Sequence, residues 1–415
     1  MTNLTQNSSK QFFGAAMRVV TLALFLTLFG ASTVLAQTKA YVTNSFDNTV
    51  SVIDTATNTV VATVRVGFGP FGIAITPNGA FAYVVNGSDD TVSVIDTATN
   101  TVVATIPVEP NPVVIAITPN GAFAYVTSLR NNDVSVIDIA TNTIVTAVPV
   151  GAFPVGVAIT PNGAFAYVAN AGDGTVSVIN TATNTVVATI PGMTSPNFLA
   201  VTPNGAFVYV TDPVVFKVFV IETATNTIVT SIPVGVRPGG IDITPNGAFA
   251  YVTVDGVWVI STATNTVTTI VPVGIAPPGV LAVNPTGTFV YVPNSFGNNV
   301  SVIDTATNTV TATIPTGNQP RVVAFQTRTP IASLIGQVQA LIAGGGLTQK
   351  DGDKLIKKLE AVQMKLDKVQ TGAPCNQLGA FINQVNAFIN NGSLTPSQGQ
   401  ALINAANAIK TSLGC

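Results

Sequence analysis

Residues 40–79 read AYVTNSFDNTVSVIDTATNTVVATVRVGFGPFGIAITPNG, and six further versions of this stretch follow in the chain. Its tyrosine, Tyr41, returns at Tyr83, Tyr125, Tyr167, Tyr209, Tyr251 and Tyr291, in steps of 42 residues five times and then 40. These are all 7 tyrosines of the protein. A period of this length marks a propeller or solenoid, whose unit buries its faces only against neighbouring copies.

Four apolar runs lie inside the unit: Tyr41–Thr43, Val50–Ile53, Thr59–Val66 and Gly72–Thr76. Their length and their Val, Ile, Thr and Tyr content predict strands, and no window sustains a helical period. An Asn/Asp/Gly loop, the Asp54-Thr-Ala-Thr-Asn58 turn, a Gly-Pro segment and Thr76-Pro-Asn-Gly79 separate them. Proline presets φ, and Asn and Gly tolerate positive φ, so these are reversals. Four strands joined by hairpins make one antiparallel blade, and seven blades make a ring: an all-β, seven-bladed β-propeller.

The ends of the array support closure. It opens at Ala40 with no preceding Gly-Ile-Ala-Ile-Thr strand and finishes at Arg321-Val-Val-Ala-Phe325 with no Tyr-Val strand after it. Residues 321–325 are therefore expected to supply the innermost strand of the first blade. That clasp leaves no sheet edge for an open stack to expose.

Tyr41-Val-Thr-Asn44, the Val-Ser-Val-Ile-Asp-Thr-Ala-Thr-Asn-Thr segment at 50–59 and Ile-Ala-Ile-Thr-Pro-Asn-Gly at 73–79 resemble the YVTN-type β-propeller repeat of bacterial and archaeal cell-surface proteins. The resemblance runs from about Ala40 to Phe325. It implies a seven-bladed propeller on or outside the cell, on a fold that hosts adhesion, scaffolding and several enzymes alike.

Residues 1–36 read as an export signal. Lys10 and Arg18 precede an apolar run from Val19 to Phe29, and Val34-Leu-Ala36 before Gln37 forms a cleavage site. The competing reading is an N-terminal anchor, for which the run falls short of the ~20 residues a spanning helix needs. After removal of the signal, the mature protein is expected not to span a membrane. The chain is 47% hydrophobic and only 8% charged. Residues 37–328 carry 7 basic and 14 acidic side chains, whereas the remainder carries 7 and 4. An acidic propeller argues against nucleic acid, which needs clustered Lys and Arg to displace counterions.

Two kinds of turn barely change between repeats: Thr-Pro-Asn-Gly at 76, 118, 160, 202 and 244, and Thr-Ala-Thr-Asn-Thr. The other two loops vary freely, as in Asn44-Ser-Phe-Asp-Asn48 against Asp212-Pro-Val-Val-Phe-Lys217. Alternate loops of a meander emerge at the same end, so one face of the disc is uniform and the other diverse. The diverse face is where a protein or glycan ligand would be read. In the sixth repeat, Val254-Asp-Gly-Val257 shortens a loop to what predicts a two-residue type I′ hairpin. Trp258, the single tryptophan, follows and reads either as a stacking platform or as packing.

Comparison of the innermost strands exposes one break in pattern. Asp242 stands where the other repeats carry Ala74, Ala116, Ala158, Ala200, Ala282 and Ala324. Burying an unpaired carboxylate costs on the order of several kcal/mol. Asp242 must therefore face channel water, accept hydrogen bonds, or meet Arg237, Arg321 or a metal. The candidate ligand contacts are Asp242, Arg237, Arg321, Phe71 and Trp258. Asp54, Asp96 and Asp304 precede Thr-Ala-Thr-Asn, Asp138 precedes its variant Ile-Ala-Thr-Asn, and all four read as Asx turn chemistry. Asp47, Asp89, Asp90, Asp133 and Asp173 lie on variable loops but lack the spacing of a Ca²⁺ loop.

The sequence contains no histidine, which removes the commonest general base and metal ligand and excludes copper, haem and histidine–zinc propeller chemistry. No Gly-x-Ser-x-Gly elbow, phosphate-cradling loop or Cys cluster occurs. An enzyme would have to use carboxylates, with or without a metal, as lactonase-type propellers do. No cofactor is expected, a structural or hub divalent cation being left open.

From Thr329 the period becomes helical. Ile331, Leu334, Ile335, Val338, Leu341 and Ile342 share one stripe, and Leu355, Leu359, Val362 and Leu366 another. A second copy follows at an offset of 47 residues, so that Ile335, Val338, Leu347, Leu355 and Leu366 answer to Ile382, Val385, Leu394, Leu402 and Leu413. Thr348 and Thr395 are N-caps, the second followed by Pro396. Two hairpins, 331–369 and 375–414, predict a small all-α, four-helix C-terminal domain over 329–415. Its tail loosely resembles helical modules of bacterial surface proteins, including the FIMAH type. Cys375 and Cys415, the only cysteines, bracket the second hairpin. In an exported chain they invite a disulfide, worth roughly 4 kcal/mol in the chain-entropy account, with two free thiols as the alternative.

The expected protein is an exported binding, adhesion or surface-architecture propeller acting through its variable-loop face, with a helical tail that positions the disc or docks a cell-envelope partner. The rival is an extracellular hydrolase or lactonase with an acidic site at the hub.

Overall fold

The computed structural model describes residues 39–274, 279–326, 330–367, 373–412 and 415. The export signal, its cleavage site at Ala36 and Gln37, and the boundary at 328–329 lie outside the described residues. Strands are numbered β1 to β28 in chain order. The alternation of β-branched and aromatic residues between Asn- and Gly-containing turns folds into seven four-stranded antiparallel sheets. Blade 1 holds β1 (Lys39–Asn44), β2 (Thr49–Asp54) and β3 (Thr59–Arg65), and the next six blades take four consecutive strands each.

Closure is the predicted one. β28 (Pro320–Gln326) completes blade 1 on the inner side of β1, with Val42 opposite Val323 and Tyr41 opposite Ala324. Beyond the ladder, the Gln326 amide donates to the Gly79 carbonyl at 2.8 Å and to Thr97 Oγ1 at 2.9 Å, tying the clasp strand to blade 2. Val323 is buried with Ala40, Val42, Tyr291 and Val302, so the clasp joins the apolar cores of the first and last blades.

All seven tyrosines are buried. Each hydroxyl donates to the side-chain oxygen of the asparagine in the Ala-Thr-Asn turn of the next blade, over 2.6–2.9 Å. The pairs run Tyr41–Asn100, Tyr83–Asn142, Tyr125–Asn184, Tyr167–Asn226, Tyr209–Asn265, Tyr251–Asn308 and Tyr291–Asn58. Those asparagines hold φ between 52° and 55°, a left-handed conformation that Asn tolerates better than most residues. The preceding acid fixes the same turn: Asp54 Oδ1 accepts from Ala56 N at 2.8 Å and from Thr57 N at 3.2 Å, Asp96 and Asp304 repeat both bonds, and Asp138 accepts from Thr141 N. The Asx reading of these four residues therefore describes the bonds they make.

The sixth repeat departs from its prediction. Thr253 pairs with Val257, leaving a three-residue loop, and neither Asp255 nor Gly256 adopts a positive φ. Val254 is buried in the apolar cluster of blade 6, which takes it out of the ladder and removes the two-residue type I′ hairpin.

The C-terminal segment forms four helices, α1 (Pro330–Ala343), α2 (Gln349–Asp367), α3 (Ala373–Asn390) and α4 (Pro396–Ser412). One core unites them, including Leu334, Val338, Leu355, Leu359, Phe381 and Leu402. Ile335, Leu341, Ile342 and Ile382 flank it half-buried, and the side chains of Leu366 and Leu413 lie outside the described residues. Thr395 caps α4 in a reciprocal box with Gln398, and Thr348 accepts from Asp351 N at 3.2 Å. Gly352 and Gly399, equivalent in the two copies, face Ile342 and Ile389 so closely that a Cβ would collide. Cys375 and Cys415 are disulfide-bonded, with Cα atoms 5.9 Å apart.

The clasp predicts a contrast between two valines. Val323→Asp, at a site 4% exposed, places an unpaired charge in the closure core and should lower stability by roughly 3 kcal/mol or more. Val310→Asp, on the outermost strand of blade 7 and 38% exposed, should change it by less than about 0.5 kcal/mol. Thermal or urea denaturation of the two variants checks this, and equal effects would contradict the closure role.

Candidate functional site

Every inner strand starts on the diverse face, and those of blades 2–7 end at a Pro-Asn-Gly or Pro-Thr-Gly turn on the uniform one. In blades 1–4 that strand opens with a β-bulge after its proline, between Pro320 and Val323, Pro70 and Ile73, Pro112 and Ile115, and Pro154 and Val157. Bulges re-aim the residues they contain. Two of the candidate ligand contacts, Arg321 on β28 and Phe71 on β4 (Pro70–Ile75), occupy such bulges in adjacent blades, with the guanidinium carbon 5.9 Å from the ring centroid.

Thr43 fixes this pair. Its hydroxyl donates to the Phe71 carbonyl at 2.7 Å and accepts from Val322 N at 3.2 Å, so one side chain holds both bulges. Thr127 repeats the device between Val114 N and the Val155 carbonyl. Across the hub, Phe198 lies nearly parallel to Phe71, with centroids 6.4 Å apart and planes inclined by 13°. Phe198 precedes β16 (Leu199–Val201) of blade 5, so the two rings meet from opposite sides of the channel mouth. Beneath them is an apolar cavity of about 160 Å³, bounded by Ile73, Ile115, Val157, Leu199 and Ile241.

Partial burial lowers the Arg321 pKa from its ordinary value, yet its guanidinium makes no hydrogen bond or ion pair with any described residue, and its Nε is enclosed without a partner. On the diverse face beside it, Ser45, Phe46, Phe68, Ser88, Asp89 and Gln319 border a cavity of about 560 Å³. Asparagine and aspartate side chains hold the loops of this face by bonding neighbouring main chain. Asn48 Oδ1 accepts from Gly69 N, Asp90 from Asn111 N and Asn298 from Gln319 N, over 2.8–3.0 Å. Asp47, Asp89 and Asp173 accept from Asn318, Phe68 and Ala152 N in the same way. Among the described residues, no three acidic or cysteine side chains gather in a metal-ligating group.

Asp242 lies elsewhere, three positions further along its strand β20 (Ile241–Ile243), toward the uniform face. Its Oδ1 accepts from Ile243 N and its Oδ2 from Val283 N, both at 2.8 Å, which links blade 6 to the short inner strand of blade 7. No ion pair joins it to Arg237 or Arg321, and Arg237 is exposed on a loop. Loss of water around the carboxylate raises its pKa to about 6, against the lowering effect of the two N–H groups. Trp258 is half-buried against the apolar cluster of blade 6, its Nε1 donating to Asp255 Oδ1 at 3.2 Å. The structure thus brings together Arg321 and Phe71 of the five candidates. Phe198 was missed, although Gly72, Val114 and Gly156 hold its position in other blades and the comparison that isolated Asp242 would have exposed it.

The profile of the family described as Lactonase, 7-bladed beta-propeller matches residues 42–189, which is less than half of the chain. A search of curated proteins gives no match. Among solved structures, the chain is similar to one from Kuenenia stuttgartiensis hydrazine synthase, at 24% identity with a TM-score of 0.57, covering 60% of this chain and 88% of that one. A functionally unknown protein from Desulfotomaculum acetoxidans superposes at 19% identity and a TM-score of 0.63, covering 70% and 99%. Dihydro-heme d1 dehydrogenase NirN does so at 13% and 0.54, covering 69% and 74%. At these identities the structural likenesses establish the propeller fold.

The Asp242 carboxyl generates a pH prediction. A folded pKa of about 6 against ~3.9 in the unfolded chain means that the folded state holds the proton more tightly. Stability present below about pH 4 is therefore lost as pH rises through 6. Asp242→Asn, which cannot titrate, should be flatter over that window, measured by urea denaturation at both ends.

Proposed function

We propose that the protein is an exported binding module that reads its ligand on the variable-loop face of the propeller. The observation that carries this is the placement of five phenylalanines. Phe46, Phe68, Phe153, Phe216 and Phe296 are 43–73% exposed, and all five stand on loops of that face. Phe46 and Phe68 border one cavity, and apolar surface that is contiguous and exposed marks interaction sites. The YVTN-type resemblance of the repeat supports a cell-surface setting, and adhesion or surface architecture is the role it fits. The Cys375–Cys415 disulfide supports export, because such bonds persist in oxidising compartments. No described helix is long and apolar enough to cross a membrane. The helical tail, with its FIMAH-like character, is assigned to an anionic cell-envelope partner, since α2 presents Lys350, Lys354 and Lys357 along one side.

The test applies the full mature chain to glycan and peptide arrays. Wild type should be retained on a subset of spots, and a variant with Phe46, Phe68 and Phe296 changed to Ser should lose retention by roughly tenfold or more at unchanged melting temperature. Changing Phe249, exposed on the uniform face, should leave retention intact. Wild-type binding no better than blank, or equal retention of the triple variant, rejects the reading.

The lactonase-family match over residues 42–189 favours a second reading, hydrolysis of a lactone or ester with Asp242 as the hub carboxylate. Both oxygens of Asp242 are occupied by main-chain N–H groups, which weakens it as a base. A pH-stat assay with γ- and δ-lactones, with Ca²⁺, Mg²⁺ or Zn²⁺ added, decides. Turnover lost in Asp242→Asn would establish the enzyme, and none above the uncatalysed rate is the expected result.

A further inference from the structure

Arg321 holds hydrogen-bonding capacity that the protein itself leaves unspent. It is the one charged residue at its position, where the other inner strands carry Phe71, Val113, Val155, Asn197, Gly239 and Gly279. Gly279 is required there because a Cβ would collide with the Arg321 carbonyl, to which Val280 N donates at 2.7 Å. The backbone carrying the guanidinium is therefore pinned by blade 7 on one side and by Thr43 on the other. A cation fixed over Phe71, half-buried and with no acid in ion-pair reach, is preorganised for an anion supplied from outside.

The neighbouring cavity narrows the anion. Gln319 borders it almost fully buried, and its Oε1, without a hydrogen-bond partner among the described residues, is enclosed and out of a ligand's reach. Asp89 adds a carboxylate whose Oδ2 already accepts from Phe68 N. Phe46 and Phe68 add exposed rings. A bare inorganic anion would meet Asp89 and leave the rings unused. A simple aromatic acid would cover the rings but offer no donor to Asp89. A sugar acid meets these demands, since its carboxylate matches the guanidinium fork, its C–H face lies on an aromatic ring and its hydroxyls donate to the Asp89 carboxylate. We infer that this cavity takes a carboxylated sugar unit of an anionic polysaccharide, its carboxylate on Arg321. The inference rests on the binding reading above and names the ligand class.

Isothermal titration of the full mature chain with trigalacturonate and with its methyl ester tests it. The acid should bind and the ester, which keeps the rings and hydroxyls but loses the charge, should bind at least about tenfold more weakly. Arg321→Gln should lose the preference for the acid, Arg321→Lys should keep only part of it, and Arg237→Gln, an exposed arginine outside the cavity, should keep all of it. Melting curves establish that each variant is folded. Equal binding of acid and ester, an unaffected Arg321→Gln variant, or no heat with either ligand overturns the proposal. If array retention persists and depends on the phenylalanines but not on Arg321, the binding reading stands and the sugar-acid assignment falls. If wild type is retained nowhere, both fall.

Discussion

The ring of tyrosine–asparagine bonds is the constraint on which the rest of this propeller depends. A blade of four strands cannot bury both of its faces alone, and packing of valine and isoleucine is tolerant of sliding. A buried phenol is not, because an unpaired hydroxyl in an apolar wall costs about 1–3 kcal/mol. Each tyrosine accordingly fixes the angle and register of the next blade through one asparagine, and seven equal steps close a circle. Burial raises six of these tyrosines, from Tyr83 to Tyr291, to a pKa of about 12, so their hydroxyls remain donors throughout the physiological range.

The same constraint explains why one face is uniform. The asparagine must sit in the turn between the third and fourth strands, left-handed and preceded four residues earlier by an acid or amide in every blade but the sixth, which has Ser261. That turn is also tied to the Pro-Asn-Gly turn of its own blade, as where Thr223 and Thr305 donate to the carbonyls of Gly205 and Gly287. All of this stitching emerges at one end of the strands. Loops at the other end need only a side-chain acceptor for a nearby main-chain N–H. Asn48, Asp90, Asn132 and Asn298 provide it at equivalent positions while the residues around them change. Variation is confined to the face where it costs the ring nothing.

Much of this was legible in the sequence because it is periodic. Tyrosine spacing gave the blade count, the missing first strand and surplus last one gave the clasp, and the 47-residue offset gave the paired helical hairpins. The turn at Val254–Val257 was misread because the dipeptide Asp-Gly signals a tight hairpin locally, whereas burial of Val254 is a tertiary effect. Asp242 stood out as the exception to an alanine column, yet the partner of its Oδ2 is a main-chain N–H of another blade, which no side-chain pattern encodes. The meeting of Arg321 with Phe71 was equally hidden. It requires ring closure to make residues 250 positions apart neighbours, and a bulge to turn both side chains toward the mouth.

That meeting follows from the closure itself. Six inner strands are flanked by repeats on both sides in sequence, but β28 enters blade 1 from the far end of the array. No hairpin joins it to β1, and its first residues are held by Thr43, as Thr127 holds those of blade 3, and by the Val280–Arg321 contact. A clasp strand is thus the inner strand least bound by the demands of the repeat, and an arginine placed on it disturbs no Pro-Asn-Gly turn and no tyrosine bond. In a ring built from near-identical parts, the seam is where a residue with a different task is most easily accommodated, and the seam is where the unpartnered guanidinium lies.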